Sequence, residues 1–349
     1  MSHQHQVKQA WPHKSRLHRL FWMGLTFRPN RRKWRDALER ETQHRLRTWN
    51  DFSALLQADP AVRESDVILQ EGLHFESFPA GYAGKCAVYL HGTLSMVINN
   101  RKYFDCTMWQ PPAAEIAGWM EGEKRVLRRA DRIFIGSKFL ADVLATDYGV
   151  SREKIAFVGT GQPPLPADAG GATRYSASKN ILFVGRDFER KGGETLFQAL
   201  PEVVAKVPGA RLQIVGPRSI PLPAHPAVEF LGRVNDRERL AQLYREAAVF
   251  AMPSLYETFG FVFLEAMSRG LPCIGADHFA MPEIIQDKRT GLIVPPADAP
   301  RLAEALIWIL THPTEAAEMG AAAREYARTS FSWSAVGANM LGELELSAS

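Results

Sequence analysis

The stretch Ile181-Leu-Phe-Val-Gly-Arg-Asp-Phe-Glu-Arg-Lys-Gly-Gly-Glu194 carries the clearest structural signal in the chain. The apolar run 181–184 is too short for a helix and ends on a glycine, and two more glycines precede a helical pattern over 194–207. A short buried strand, a charged turn and a helix make up the repeating unit of a parallel sheet. The alternation continues downstream, with strands expected at 212–215, 228–231, 249–252, 273–275 and 292–294, and helices at 236–247, 261–269 and 301–310. Strands buried on both faces are unbroken apolar runs, while the helices between them keep a 3.6-residue period. This half is therefore expected to be an open, doubly wound α/β domain.

Upstream the pattern is similar but thinner. Strands are expected at 67–70, 87–90, 133–135 and 155–158, helices at 32–49, 113–130 and 138–148, and an additional opening strand at 20–25. A second Rossmann-like domain follows from this reading. The run 161–178 is rich in Pro, Gly, Ala and Ser and lacks aliphatic periodicity, which marks a linker. The expected division is residues 1–162 for the first domain, 163–178 for the linker, 179–330 for the second domain and 331–349 for a closing helix.

Composition agrees with two cores. The 349 residues are 46% hydrophobic and 23% charged, close to the globular norm and unlike a disordered or fibrous chain. Cys86, Cys106 and Cys273 are widely spaced, without a C-x-x-C pair or paired histidines, which argues against disulfides and structural zinc. No apolar run approaches the ~18 residues of a spanning helix. The expected location is therefore a reducing cytoplasm. The first fifty residues hold twelve Lys and Arg against Asp36, Glu39 and Glu41, a local charge of +9, so the remainder carries −5 of the overall +4. Arg28, Arg31, Arg32, Lys33 and Arg35 are interleaved with Phe27 and Trp34, a combination suited to the anionic inner face of a membrane. A solvated helix face is the alternative. Nucleic acid is disfavoured, because the motif-bearing bulk is acidic and holds no nucleic-acid module.

Common catalytic fingerprints are absent: the sequence has no H-E-x-x-H, G-x-x-x-x-G-K-[ST], G-x-S-x-G or G-x-G-x-x-G. It also has no D-x-D pair to hold a divalent ion against a diphosphate, so protein groups would have to meet phosphate charge. Ligands of open α/β sheets sit beyond the carboxyl ends of the strands. There, Gly185 and Arg186 end a strand and Lys191 precedes the next helix, an arrangement that suits a diphosphate. The alternative is a solvated mixed-charge turn, since Asp187, Glu189 and Arg190 share the segment. A second stretch, Pro253-Ser-Leu-Tyr-Glu-Thr-Phe-Gly-Phe-Val-Phe-Leu-Glu-Ala-Met267, puts Glu257 before a helix and Glu265 inside it, with Gly260 at the turn. Glu257 can accept hydrogen bonds from hydroxyls, with backbone N–H groups of the turn alongside. Complementation of the helix dipole is the plainer role for Glu257, and an ordinary exposed helix acid the plainer one for Glu265.

Together these motifs resemble the retaining GT-B glycosyltransferases of the family 4 type, whose donor domain carries a Gly-Arg, a Lys-Gly and an E-x7-E motif. The resemblance runs over residues 130–334 and includes Ala130-Asp-Arg-Ile-Phe-Ile-Gly-Ser137, Leu212-Gln-Ile-Val-Gly216, Phe230-Leu-Gly-Arg-Val234 and Gly291-Leu-Ile-Val-Pro295. It implies two Rossmann-like domains with parallel sheets facing a cleft, and a C-terminal helix crossing back. It also implies metal-independent transfer, without a cofactor, from a nucleoside-diphosphate sugar to a glycan or lipid-linked acceptor. By the resemblance, Arg186 and Lys191 beside Gly185 hold the donor diphosphate and Glu265 the ribose. Glu257, with the amides of Phe259, Gly260, Phe261 and Val262, meets the sugar and neighbouring phosphate, and Gly232, Arg233 and Val234 border the base. His91, after the strand 87–90, matches histidines that line the donor-sugar pocket; a structural histidine bonded to backbone is the alternative. The chain departs from the pattern where the family usually has Gly-Gly ahead of Pro-Glu, since it reads Phe279-Ala-Met-Pro-Glu283. The glycine-rich opening strand-loop is not recognisable either. A GT-B epimerase or phosphorylase, or a non-catalytic nucleotide-sugar-binding subunit, would share the same donor motifs.

Overall fold

A computed structural model describes residues 46–103, 112–162, 178–220 and 223–346. The basic cluster, the expected strand 20–25, most of the expected helix 32–49, Cys106 and nearly all of the expected linker lie outside the described residues. The described chain forms two compact units. The first runs to Ile135 and includes Leu140–Ala156, and the second takes Gly136–Phe139 and everything from Phe157 onward.

The first unit holds a four-stranded sheet in the order β1-β2-β3-β4, with β1 Val67–Glu71, β2 Lys85–Leu90, β3 Arg132–Ile135 and β4 Ile155–Phe157. Strands β1, β2 and β3 pair in parallel. The run Cys86–Leu90 is buried throughout, as expected of a central strand covered on both faces. Buried Glu76 beyond β1 accepts from Arg125 at 2.9 Å and from Arg129 at 2.6 Å, which ties that loop to the helix Ala113–Arg129.

The second unit holds six parallel strands: β5 Asn180–Val184, β6 Arg211–Val215, β7 Val228–Gly232, β8 Val249–Ala251, β9 Cys273–Ala276 and β10 Gly291–Val294. Their order is β10-β9-β8-β5-β6-β7. Ile181, Leu182 and Phe183 of β5 and all of β8 are fully buried, because these strands lie in the middle of the sheet. The helix Gly193–Lys206 buries Leu196, Ala199, Leu200 and Val203, an i, i+3, i+4, i+7 stripe. It packs against the helix Ala299–Thr311, which Asp298 caps by accepting from the Arg301 amide at 2.9 Å.

Every expected strand within the described residues is present to within two residues at each end. One long helix, Pro313–Ser330, was not expected from sequence. Its buried face is Ala316, Met319, Gly320, Ala323 and Ala327, small residues that give little contrast against its polar side. The closing helix spans Trp333–Leu346, and its Asn339 amide donates to the Val158 carbonyl at 3.4 Å, inside the second unit.

Candidate active site

The order of the second sheet fixes where a ligand has room. The chain runs outward from β5 through β6 to β7, then returns to β8 on the other side of β5 and continues to β9 and β10. The loops after β5 and β8 therefore diverge over the point where the winding reverses, the crevice that open α/β sheets use for ligands. Those loops carry residues 185–193 and 252–260, the two segments singled out by sequence.

Glycine lets the two loops touch. At Gly192, φ is 75° and a Cβ would lie 2.0 Å from the Pro253 carbonyl oxygen, so no side chain is compatible with this approach. The Leu255 amide donates to the Arg190 carbonyl at 2.8 Å, and Arg190 Nη1 donates to the Tyr256 carbonyl at 2.9 Å. Across this seam the Lys191 ammonium donates to Glu257 Oε2. The pair is largely desolvated, with 13% of the Lys191 side chain and 7% of that of Glu257 exposed. Burial pushes the Lys191 ammonium below its ordinary value, and the Glu257 carboxylate opposes that shift.

The mixed-charge turn sorts itself. Asp187 pairs with Arg190 at 2.8 Å, whereas exposed Arg186 makes no ion pair or side-chain hydrogen bond among the described residues. Gly185 follows β5, and its amide donates to the Val215 carbonyl at 2.9 Å. Arg186 thus offers an uncommitted guanidinium at the mouth of the crevice, beside a committed lysine.

Gly260, with φ at 97°, starts the helix Phe261–Met267. A Cβ there would come 3.2 Å from Glu257 Cγ, so the glycine leaves space beside the carboxylate. Phe259 is buried against Phe331 and Phe261, which leaves its backbone as the part facing the turn. Phe261 is 46% exposed, and Val262 is half-buried against the core. One turn into the helix, half-buried Glu265 accepts a hydrogen bond from the Tyr244 hydroxyl at 3.1 Å. Tyr244 lies on Arg237–Glu246, a helix whose pattern carried no signal of this contact. The Arg269 guanidinium stacks over its ring.

Gly232, with φ at 59°, ends the edge strand β7, and its carbonyl accepts from Gly216 at 2.7 Å. Exposed Arg233 and half-buried Val234 follow it; β6 separates them from β5. His91 belongs to the first unit. It is half-buried after β2 with its ring edge-on to Tyr89 at 4.7 Å, and burial lowers its pKa. Glu283 sits in the short helix Met281–Ile284, and its carboxylate accepts from the amides of Lys138 and Phe139 at 2.6 and 2.9 Å, both within the second unit. Among the described residues no group of His, Cys, Asp and Glu could hold a metal ion, and no helix is long and apolar enough to cross a membrane.

Residues 178–312, which contain this crevice, match the family model described as Glycosyl transferases group 1. Among curated proteins, a D-inositol 3-phosphate glycosyltransferase of Mycobacteroides abscessus is 32% identical over 240 residues, covering 63% of this chain and 53% of that one. A GDP-mannose-dependent monoacylated alpha-(1-6)-phosphatidylinositol monomannoside mannosyltransferase of Corynebacterium glutamicum is 34% identical over 170 residues, 45% of this chain and 44% of its own. The matched region thus spans about half the length of these relatives. Among solved structures, a sucrose-phosphate synthase from Thermosynechococcus elongatus superposes with a TM-score of 0.63 at 26% identity, covering 87% of this chain and 79% of that one.

Proposed function

We propose that this chain, whose residues 178–312 match the Glycosyl transferases group 1 family, is a GT-B enzyme of that family and transfers a sugar from a nucleoside-diphosphate donor to a glycan or lipid-linked acceptor, with retention of configuration. The observation that carries this reading is the Lys191–Glu257 pair bridging the two loops over the switch point, with Arg186 uncommitted beside it. Two cations at the end of β5 suit a diphosphate, whose charge grows as the bond to the sugar breaks. A carboxylate on the facing loop suits the hydroxyls of the sugar. Glu265, which accepts from the Tyr244 hydroxyl, is assigned to a ribose hydroxyl.

In this mechanism Lys191 and Arg186 hold the leaving diphosphate, and Glu257 orients the sugar while keeping Lys191 charged. No carboxylate other than Glu257 and Glu265 is assigned to the donor. By the family resemblance, the reaction runs as a front-face displacement: a phosphate oxygen of the leaving group accepts the acceptor's proton, and no covalent sugar–enzyme bond forms. The names of the relatives, acting on inositol phosphate and phosphatidylinositol mannoside, favour an acceptor with an anionic or lipid part. The +9 charge of the first fifty residues fits an acceptor at an anionic membrane surface.

A thermal-shift panel of UDP, GDP and ADP with their hexose derivatives tests the donor site. One base should stand out, because a ligand at one hundred times its Kd stabilises by about 2.7 kcal/mol. No shift with any of them defeats the proposal. The two acids should then separate kinetically: Glu257→Gln lowers kcat strongly, whereas Glu265→Gln raises the donor KM more than it lowers kcat. An unchanged kcat in folded Glu257→Gln rejects the role given to that residue.

A further inference from the structure

Phe279 occupies a position where the resembling family has glycine, and it keeps a glycine-like backbone with φ at +50°. Among the described residues two other non-glycine residues have positive φ, Lys288 and Ala297, and both are exposed turn residues. Phe279 is half-buried. A bulky residue in this conformation is strained and persists where its surroundings over-determine it.

Those surroundings are rings. Phe279 meets Tyr256 edge-on with centroids 4.7 Å apart, Phe139 at 5.6 Å and His278 at 3.9 Å. Tyr256 is only 2% exposed, and the same burial pushes its phenol up to about 12. Its carbonyl is held by Arg190, and the next residue is Glu257. A continuous set of contacts thus runs from Phe279 through Tyr256 to Glu257 and Lys191. In the order β9-β8-β5, the loop holding Phe279 borders the Glu257 loop on the side away from Arg186 and Lys191.

We infer that Phe279 is a positioning residue for the sugar end of the donor site: its ring, wedged against Tyr256, sets the backbone that presents Glu257 to the sugar. This rests on the donor-site reading above and extends it to a residue that touches neither the diphosphate cations nor the ribose acid. The consequence is asymmetric. Removing the wedge weakens recognition of the sugar and leaves recognition of the nucleoside diphosphate in place.

Titration calorimetry on the full chain tests this with UDP, GDP and ADP and with UDP-glucose, GDP-mannose and ADP-glucose. Phe279→Gly suits the positive φ and removes the ring, and Phe279→Tyr keeps it. For the base that binds, Phe279→Gly should weaken the sugar nucleotide at least fivefold and the diphosphate less than twofold, with Phe279→Tyr within twofold of wild type for both. Equal weakening of both ligands, as a purely structural role would give, overturns the inference, and so does an unchanged sugar nucleotide. If Phe279→Gly does not fold, Phe279→Leu is judged by the same criterion. Failure of wild type to bind any of the six ligands removes the donor-site reading itself. Failure of the Phe279 inference alone leaves wild-type binding intact.

Discussion

Lys191→Met should lose about 100- to 1000-fold in kcat, the effect of removing one charge-stabilising group from a transition state, and should also be markedly less stable. Both effects come from the same pair. The ammonium is buried on Glu257, and its loss leaves a carboxylate that is 7% exposed without its counter-charge. Breaking one side of such a pair costs about 3 to 5 kcal/mol. Adding Glu257→Gln to Lys191→Met neutralises the remaining partner, so the double variant should recover most of the stability and none of the activity. Urea unfolding of the four proteins in the cycle measures the first and donor turnover the second. If Lys191→Met is as stable as wild type, the pair is not the desolvated contact described here. If its activity is intact, Lys191 does not meet the leaving group.

The second large effect concerns pH and lies in the first unit. Glu123, on the helix Ala113–Arg129, is 4% exposed. Both of its carboxylate oxygens accept from the Leu94 amide at 3.2 Å, and the Tyr148 hydroxyl donates to Oε2. Burial raises its pKa from 4.5 to about 7, and the hydrogen bonds from Tyr148 and Leu94 only partly offset that. Between pH 4.5 and about 7 the folded protein therefore holds a proton that the unfolded chain has released. Stability accordingly falls as pH rises through this window and is flat above it, with a total change of about 3 kcal/mol from this group. Glu123→Gln cannot titrate. Its stability relative to wild type should rise by about 3 kcal/mol from pH 4.5 to pH 8, read from urea melts at several pH values. A difference between the two proteins that stays constant with pH would show that Glu123 ionises normally. Because Leu94 begins the helix that follows His91-Gly92-Thr93, the same carboxylate anchors the segment after that histidine.

Most of the second unit was legible because its strands are buried on both faces. Val249–Ala251 and Cys273–Ala276 must be apolar at every position, and the helices between them must keep a stripe such as Leu196, Ala199, Leu200 and Val203. The helix Pro313–Ser330 was not legible, since alanine packs well while contributing little to an apolar pattern. Glu257 and Glu265 could be singled out by spacing, and Arg186 and Lys191 by their place after a strand. Their separate states could not. Spacing alone did not show that Asp187 takes Arg190 and leaves Arg186 uncommitted, or that Tyr244 would come from another helix to meet Glu265.

What could be read from the residues in order is local: the alternation of strand and helix, the glycines at tight turns, and the residue types at strand ends. These follow from backbone sterics and from the period with which apolar side chains must face a core. Which loops meet depends on the packing of the whole sheet. Lys191 and Glu257 are sixty-six residues apart, and they are joined because β8 returns to the side of β5 opposite β6 and because Gly192 lets one backbone rest on the other. The same holds for Phe279, whose strained backbone is kept in place by rings from residues 139 and 256, and for Glu123, whose proton affinity is set by burial between two helices. Strand order, burial and desolvation belong to the packed chain as a whole, and no short window of sequence contains them.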